Sequence, residues 1–237
     1  MSLKSKSSFV MLALGALILA GCGLAKMKGD SGNSSVSKED SSKTSKENSS
    51  RATSFTPSSD ARKDVIDALR RLNTAYPYRL TETASGTGMP ESTRVVEFAA
   101  ADRSHMKWTG GPGGDIEAIS IGDKHYWFSN GKWTAGTVPS MLGYRGEDFA
   151  KKLADMVKEV KYVGPETVNG ESCHVYTGTF ETNMAGQQWT GTAKVWIGAG
   201  DGLIHQTDSE YHVATYSGKS HVVYEYGGNI KVEPPQM

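Results

Sequence analysis

The chain has 237 residues, with 26 lysines and arginines balanced by 26 aspartates and glutamates, and 37% of its residues are hydrophobic. This balance excludes a nucleic-acid-binding protein that works through a general positive field, because such a domain is clearly basic. The two cysteines, Cys22 and Cys173, lie in unlike segments, which excludes a small scaffold held together by disulfides.

The first 21 residues have the features of an export signal. A basic start is followed by a run of twelve apolar residues, Phe9 to Ala20. As a helix this run is about 18 Å long, too short for a hydrocarbon core of about 30 Å. Its length, the basic start and the small residues at its end predict a signal peptide over residues 1–21 and not a membrane-spanning helix.

The signal ends in Leu19-Ala20-Gly21-Cys22, which resembles the lipobox of bacterial lipoproteins. In that family the cysteine is acylated and becomes the N-terminus after cleavage, so the resemblance implies lipid attachment at Cys22. Acyl chains contribute about 0.8 kcal/mol per buried CH₂, so two or three of them anchor a protein stably. We therefore expect an exported protein, lipid-anchored in the cell envelope on its periplasmic or extracellular face. The alternative is an ordinary signal peptide in which Cys22 falls by coincidence.

Residues 22–59 are predicted to be a disordered, serine-rich tether. Positions 31–60 contain 12 serines and a single aromatic residue, Phe55. Such a composition buries too little apolar surface to offset the entropy of the chain. The folded domain is expected to span residues 60–237, and at that length it needs no disulfide for stability.

Two segments of the domain have helical periodicity. Ser59 and Asp60 are suited to cap a helix that places Val65, Leu69, Leu72 and Tyr76 on one face. A second apolar stripe, in the segment Glu147–Val160, predicts a mid-chain helix. The members of that stripe are Phe149, Leu153, Met156, Val157 and Val160.

The remaining segments alternate between apolar and polar residues and are separated by turn signals. Asn130-Gly131 and Asn169-Gly170 predict type I′ hairpins, and Asp201-Gly202 and Ser217-Gly218 predict further turns. The fold class is therefore α+β, with one large curved antiparallel sheet, an incompletely closed β-barrel, and two helices on its concave face. The predicted strands are Tyr78–Ala84, Thr93–Ala101, Ser104–Trp108, Ile116–Ile121, Lys124–Phe128, Tyr162–Val168, Ser172–Phe180, Gln187–Ile197, Leu203–Val213 and His221–Tyr226.

A curved sheet packed on helices is expected to turn apolar side chains toward its concave face. The strand Gln187–Ile197 shows the alternation this requires, with Trp196 as the exception. Aromatic-rich concave walls suit acyl chains and other apolar ligands. The alternative is that the same side chains simply fill the core. The candidates for an apolar lipid cavity are Val96, Phe98, Tyr126, Phe128, Phe149, Leu153, Val157, Trp189, Val195 and Ile197.

Motifs for catalysis and metal binding are weak. The six histidines form no H-E-x-x-H pattern, and the Gly-x-Ser-x-Gly elbow of α/β-hydrolases is absent. Cys173 has no Cys-x-x-Cys partner and is interpreted as a small buried hydrophobic residue. We therefore expect no enzymatic activity, no metal site and no cofactor.

Four stretches of the domain have a recognisable pattern, and they are Ile121–Trp133, Tyr162–Gly170 with Cys173–Tyr176, Gly191–Ile197 with Asp201–Ile204, and Tyr224–Tyr226 with Val232–Pro235. These stretches resemble hairpins and the closing strand of the LolA/LolB-like fold, and in particular of the LppX/LprG-type envelope lipoproteins. The resemblance covers most of 60–235, although the segment between Gly178 and Gln188 is shorter and more polar than in that group.

The resemblance implies an incompletely closed β-barrel whose concave face holds acyl chains. From this resemblance we expect a monomeric, membrane-anchored carrier or chaperone. Its ligand is expected to be a membrane lipid or the acyl chains of a lipidated partner protein. The first alternative is a surface-tethered structural or interaction lipoprotein with a filled core and no ligand. The second is an envelope hydrolase whose site carries no recognisable motif.

Overall fold

The structure, a computed structural model, describes residues 54–111, 114–136, 154–184, 187–214 and 216–237. The predicted signal peptide, Cys22 and most of the predicted tether lie outside the described residues. So do residues 147–153 of the predicted mid-chain helix, with the candidates Phe149 and Leu153.

The first described element is helix α1, Ala61–Arg71. It begins where the sequence predicts, because the Asp60 side chain accepts a hydrogen bond from the backbone N–H of Lys63 at 2.9 Å. Its apolar face is buried in the core through Val65, Ala68 and Leu72.

Eleven strands form one antiparallel sheet in the order β6-β5-β4-β3-β2-β1-β11-β10-β9-β8-β7. The first and last strands are therefore neighbours at the centre of the sheet, and β6 and β7 are its edges. The strands are β1 Tyr78–Gly86, β2 Met89–Ala100, β3 Arg103–Thr109, β4 Ile116–Ile121, β5 Lys124–Ser129, β6 Lys132–Gly136, β7 Val157–Val168, β8 Glu171–Met184, β9 Gln187–Gly198, β10 Ile204–Val213 and β11 Tyr216–Tyr226.

The sheet curves around α1. The core beneath the helix takes side chains from β1 to β5 and from β7 to β11. Laid flat at about 4.8 Å per strand, these ten strands would span about 43 Å. An eleven-residue helix is only about 16 Å long, so the strands share one core with it because the sheet bends. This confirms the predicted open half-barrel, and we call the face toward α1 the inner face and the opposite one the outer face.

The two Asn-Gly hairpins are confirmed. Asn130 and Gly131 have φ angles of 52° and 74°, and Asn169 and Gly170 have φ angles of 51° and 86°. Positive φ at both central positions is the requirement of a type I′ turn, which matches the right-handed twist of the strands on either side.

The prediction of a helix up to Val160 is wrong at its C-terminal end. Residues 154–156 are helical, but β7 begins at Val157, where Val157 pairs with Phe180 and Val160 pairs with Gly178. An apolar spacing of three residues suits a helix, yet β8 offers a full edge of backbone donors and acceptors. Pairing with that edge, aided by a bulge between Val157 and Val160, determines the structure here.

The prediction of a turn at Ser217-Gly218 is also wrong. Both residues lie inside β11, and Gly218 pairs with Tyr211. Glycine is needed here for close approach, because a Cβ at Gly218 would lie 2.8 Å from the Ser85 carbonyl oxygen and would overlap the Tyr211 ring. The chain instead reverses near Ala214, which has a φ of 49°.

The folded domain extends beyond its predicted start at residue 60. Phe55 packs against the core, and its backbone N–H donates to the carbonyl oxygen of Ala199 at 2.8 Å. Its ring lies 5.8 Å from that of His174 and 5.6 Å from the Arg71 guanidinium carbon. Within the described ranges, no helix is long and apolar enough to cross a membrane.

Candidate functional site

The structure divides the predicted cavity residues between the two faces of the sheet. Five of the described candidates lie on the inner face with α1, and they are Val96, Phe98, Trp189, Val195 and Ile197. Val157, at the start of β7, lies opposite Phe180 of the same face. Tyr126 and Phe128 lie on the outer face, where the Phe128 ring stacks obliquely on Trp133 with ring centres 5.3 Å apart. These two side chains are therefore separated from the rest.

Apolar side chains of the inner face form two clusters. The first lies under α1 and includes Val96, Phe98 and Ile197, each at most 2% exposed. The second lies toward the other end of the strands. Its members are Phe180, Trp189, Tyr211 and Val213, with Ala193 and Tyr216 packed against them.

Between the two clusters, a row of small side chains crosses six adjacent strands, and we call it the small-residue band. Its members are in register, each paired with the next across the sheet. At about 4.8 Å per strand the band is about 24 Å long. In order from β2 to β8 the members are Ser92, Ala84, Ser220, Ser209, Ala193 and Gly178.

The rows of side chains on the two sides of the band are mixed, and the row away from α1 contains Gly86, Gly218 and Gly191. Val195 and Tyr176 lie on the side toward α1, and Phe180 and Tyr211 lie on the other. The band is weakly polar, since the hydroxyl oxygens of Ser209 and Ser220 are hydrogen-bonded at 2.9 Å. Beside it, the rings of Phe180 and Tyr211 lie over Gly191 and Gly218.

A buried ion pair lies beside the band, on the row toward α1. Glu82 of β1 and Arg94 of β2 are direct cross-strand partners, and Arg94 Nη2 lies 2.6 Å from Glu82 Oε2. Their side chains are only 5% and 8% exposed. Glu82 Oε1 and Arg94 Nε have no hydrogen-bond partner among the described residues. Burial raises the pKa of Glu82, while the charge and hydrogen bonding of Arg94 oppose that rise.

Sequence reasoning missed this pair, although a signal was present. In β1 and β2 every second residue turns inward. Glu82 is the next inward residue after Leu80, and Arg94 is the inward residue before Val96. A charged residue at an inward position of each of two adjacent strands indicates a buried pair. The register that brings them together is set by the hairpin turn at Thr87 and Gly88, with a bulge between Ala84 and Gly86.

Hydrogen bonds to a buried carboxylate of α1 hold the helix on the inner face. The Tyr176 hydroxyl donates to Asp64 Oδ2 at 3.0 Å, and the Ser58 backbone N–H donates to the same oxygen at 2.9 Å. Burial, followed by the bond to Asp64, raises the pKa of Tyr176. Arg62 Nε donates to the Val157 carbonyl oxygen at 3.0 Å, so α1 also contacts the edge strand β7.

The outer face has a small apolar cluster of its own. Cys173, Val175 and Trp196 form a small buried cluster there, which explains why Trp196 breaks the alternation of β9. Cys173 is fully buried, as predicted for a small hydrophobic residue, and burial raises its pKa.

Further along the outer face lies an open depression of about 680 Å³. It is lined by threonines and charged side chains such as Lys194 and Asp208, so its chemistry does not suit an acyl chain.

Within the described segments, no group of three or more histidine, cysteine, aspartate or glutamate side chains is arranged to hold a metal ion. The inner face, with its two apolar clusters, the small-residue band and the ion pair, is therefore the candidate site.

An open antiparallel half-barrel with a helix on its inner face is the architecture that the LolA/LolB-like resemblance implies. Similar solved structures include LprF from Mycobacterium bovis, 12% identical, covering 76% of this chain and 99% of LprF, with a TM-score of 0.49. Another is the lipoprotein LppX from Mycobacterium tuberculosis, 13% identical, covering 73% of this chain and 98% of LppX, with a TM-score of 0.46. At these identities the similarity concerns the fold alone. No protein-family model matches the chain, and no curated protein matches its sequence.

Proposed function

We propose that this protein is a membrane-anchored envelope lipoprotein that binds an acyl chain on the inner face of its half-barrel. The ligand is a membrane lipid or the acyl chain of a lipidated partner, and the protein acts as its carrier or chaperone, without enzymatic activity. The observation that supports the proposal is the small-residue band, a row of short side chains about 24 Å long between two apolar clusters on the inner face.

The energetics favour such a ligand. A hexadecanoyl chain gains roughly 10 kcal/mol when it is buried, at about 0.8 kcal/mol per CH₂, and part of this gain offsets the cost of ordering the chain.

The test compares two variants of the same strand. Ala193 lies in the band on the inner face, whereas its neighbour Thr192 is exposed on the outer face. Ala193→Phe places a bulky ring on the band and is expected to abolish binding of hexadecanoate to the chain from residue 23 onward. Thr192→Phe adds the same ring on the other face and is expected to leave binding unchanged.

Binding is measured by native mass spectrometry and by displacement of a fluorescent fatty acid. If the wild-type chain carries no lipid and takes up no fatty acid at micromolar concentration, the carrier proposal is wrong. The structural or interaction lipoprotein with a filled core then replaces it. The tight packing of Val96 and Phe98 under α1 is the observation that favours that second candidate.

The anchor is tested separately. Cys22→Ala is expected to give a precursor that is not lipidated and not cleaved, since the thiol is the acceptor of the lipid. The wild-type protein is expected in the detergent phase of a phase separation and the variant in a different fraction. Identical fractionation of the two forms, both soluble without detergent, would contradict the lipid attachment.

A further inference from the structure

The buried ion pair of Glu82 and Arg94 lacks some of the hydrogen bonds that a purely structural ion pair needs. Burying two charges is costly and is offset only when the geometry is good and the remaining donors and acceptors are hydrogen-bonded. Here one carboxylate oxygen and the guanidinium Nε–H have no partner among the described residues, although both side chains are more than nine-tenths buried. The unsatisfied atoms belong to side chains that project from the inner face.

The pair lies at the edge of the small-residue band. Arg94 is two residues along β2 from Ser92, and Glu82 is two residues along β1 from Ala84. Two residues of a strand span about 6.7 Å, so the pair is one row away from the band. A polar group at one end of a chain lying in the band would be within reach of these side chains.

We propose that Arg94, assisted by Glu82, binds the acidic headgroup of the ligand, a carboxylate or a phosphate, while its chain lies along the band. This inference rests on the proposed function and specifies the substrate class of the same site. Among the lipids and acyl chains considered above, it selects those with an acid group at the end of the chain.

The donor chemistry favours an acid over a neutral headgroup. A guanidinium presents several N–H donors in a fixed fork and matches the two oxygens of a carboxylate or phosphate. An oxyanion accepts from the free Nε–H of Arg94. Since burial already disfavours the charged form of Glu82, an arriving anion favours a proton on Glu82, whose O–H then donates to the headgroup. An ester or an alcohol lacks the charge that completes this arrangement.

The experiment measures the affinities of hexadecanoate, its methyl ester and hexadecyl phosphate for the chain from residue 23 onward, by displacement of a fluorescent fatty acid. We expect at least one of the two acids to bind tenfold or more tightly than the methyl ester. Whichever acid binds more tightly identifies the carboxylate or the phosphate as the preferred group. Arg94→Gln is expected to remove the discrimination while the methyl ester binds as before.

A second variant guards against misfolding. Arg94→Gln leaves Glu82 buried without its partner, so the double substitution Glu82→Gln with Arg94→Gln supplies a neutral, hydrogen-bonding replacement of similar size. If this double variant, folded by circular dichroism, still prefers an acid tenfold, the headgroup site is wrong. Equal binding of acids and ester to the wild type also overturns the headgroup site but leaves the proposed function intact. Binding of none of the three compounds overturns both.

Discussion

Phe55 gives the sharpest test of where the folded domain begins. Phe55→Ala removes a half-buried ring that contacts His174, Arg71 and the core under α1, while the Phe55 backbone hydrogen bond to Ala199 is retained. The substitution therefore isolates the contribution of one side chain from the segment predicted to be disordered.

The magnitude follows from three contributions. Burying a whole phenylalanine side chain is worth about 1.5–3 kcal/mol, so a half-buried ring contributes about 1–1.5 kcal/mol. The cation–π contact with Arg71 adds about 0.5–1 kcal/mol, and the edge contact with His174 adds about 0.5–1 kcal/mol. The expected loss in the free energy of unfolding is about 2–3.5 kcal/mol. For a domain of this size that lowers the Tm by about 4–14 °C.

The assay is urea denaturation of the chain from residue 23 onward, followed by tryptophan fluorescence. Thr56→Ala, an exposed position next to Phe55, is the matched control and is expected to change stability by less than about 0.5 kcal/mol. Equal unfolding midpoints for wild type and Phe55→Ala would refute the reasoning and place the start of the stable domain after Phe55.

Two further predictions concern the sheet. Gly191→Ala is expected to cost about 1–3 kcal/mol in urea denaturation, because its Cβ would overlap the Phe180 ring and the opposite backbone. Gly136→Ala, where the space is open, serves as its control and should be near neutral. The side-chain hydrogen bond of Asp201 raises the pKa of His205, so this pair stabilises the fold below about pH 6.5 and the effect is lost as the pH rises through the raised pKa. His205→Gln is expected to remove that part of the fall in Tm between pH 6 and pH 8, and an unchanged pH profile would contradict it.

The parts of the fold that follow from local chemistry were predictable. Asp60 caps α1 and Asn130-Gly131 forms a type I′ turn because each needs only the residues next to it. The segment from Val157 was predicted as a helix and is a strand, because the choice depends on the edge of β8. Gly218 was wrongly predicted in a turn for a similar reason. It is a glycine because the Tyr211 ring of another strand occupies the space of a side chain.

The candidate site was only partly predictable. Alternation places Trp189 and Val195 on one face of β9, and the structure confirms that they share it. The small-residue band was not foreseen, because it runs across the strands and each of its members is an ordinary alanine, serine or glycine in its own strand. The pairing of Glu82 with Arg94 likewise requires the register of β1 and β2.

The position of β1 and β11 at the centre of the sheet determines when the domain can finish folding. Leu80 lies opposite Tyr224, so the central ladder joins positions about 140 residues apart. Pairing across such a separation is slow to form, because a long loop must close before the contacts stabilise it. Until the last strand is synthesised, β1 has β2 but not β11 beside it, and the two arms of the sheet have no common core. We expect a nascent chain of this design to stay incompletely folded until then, and this is the state that the export predicted from residues 1–21 requires for passage through a narrow translocation pore.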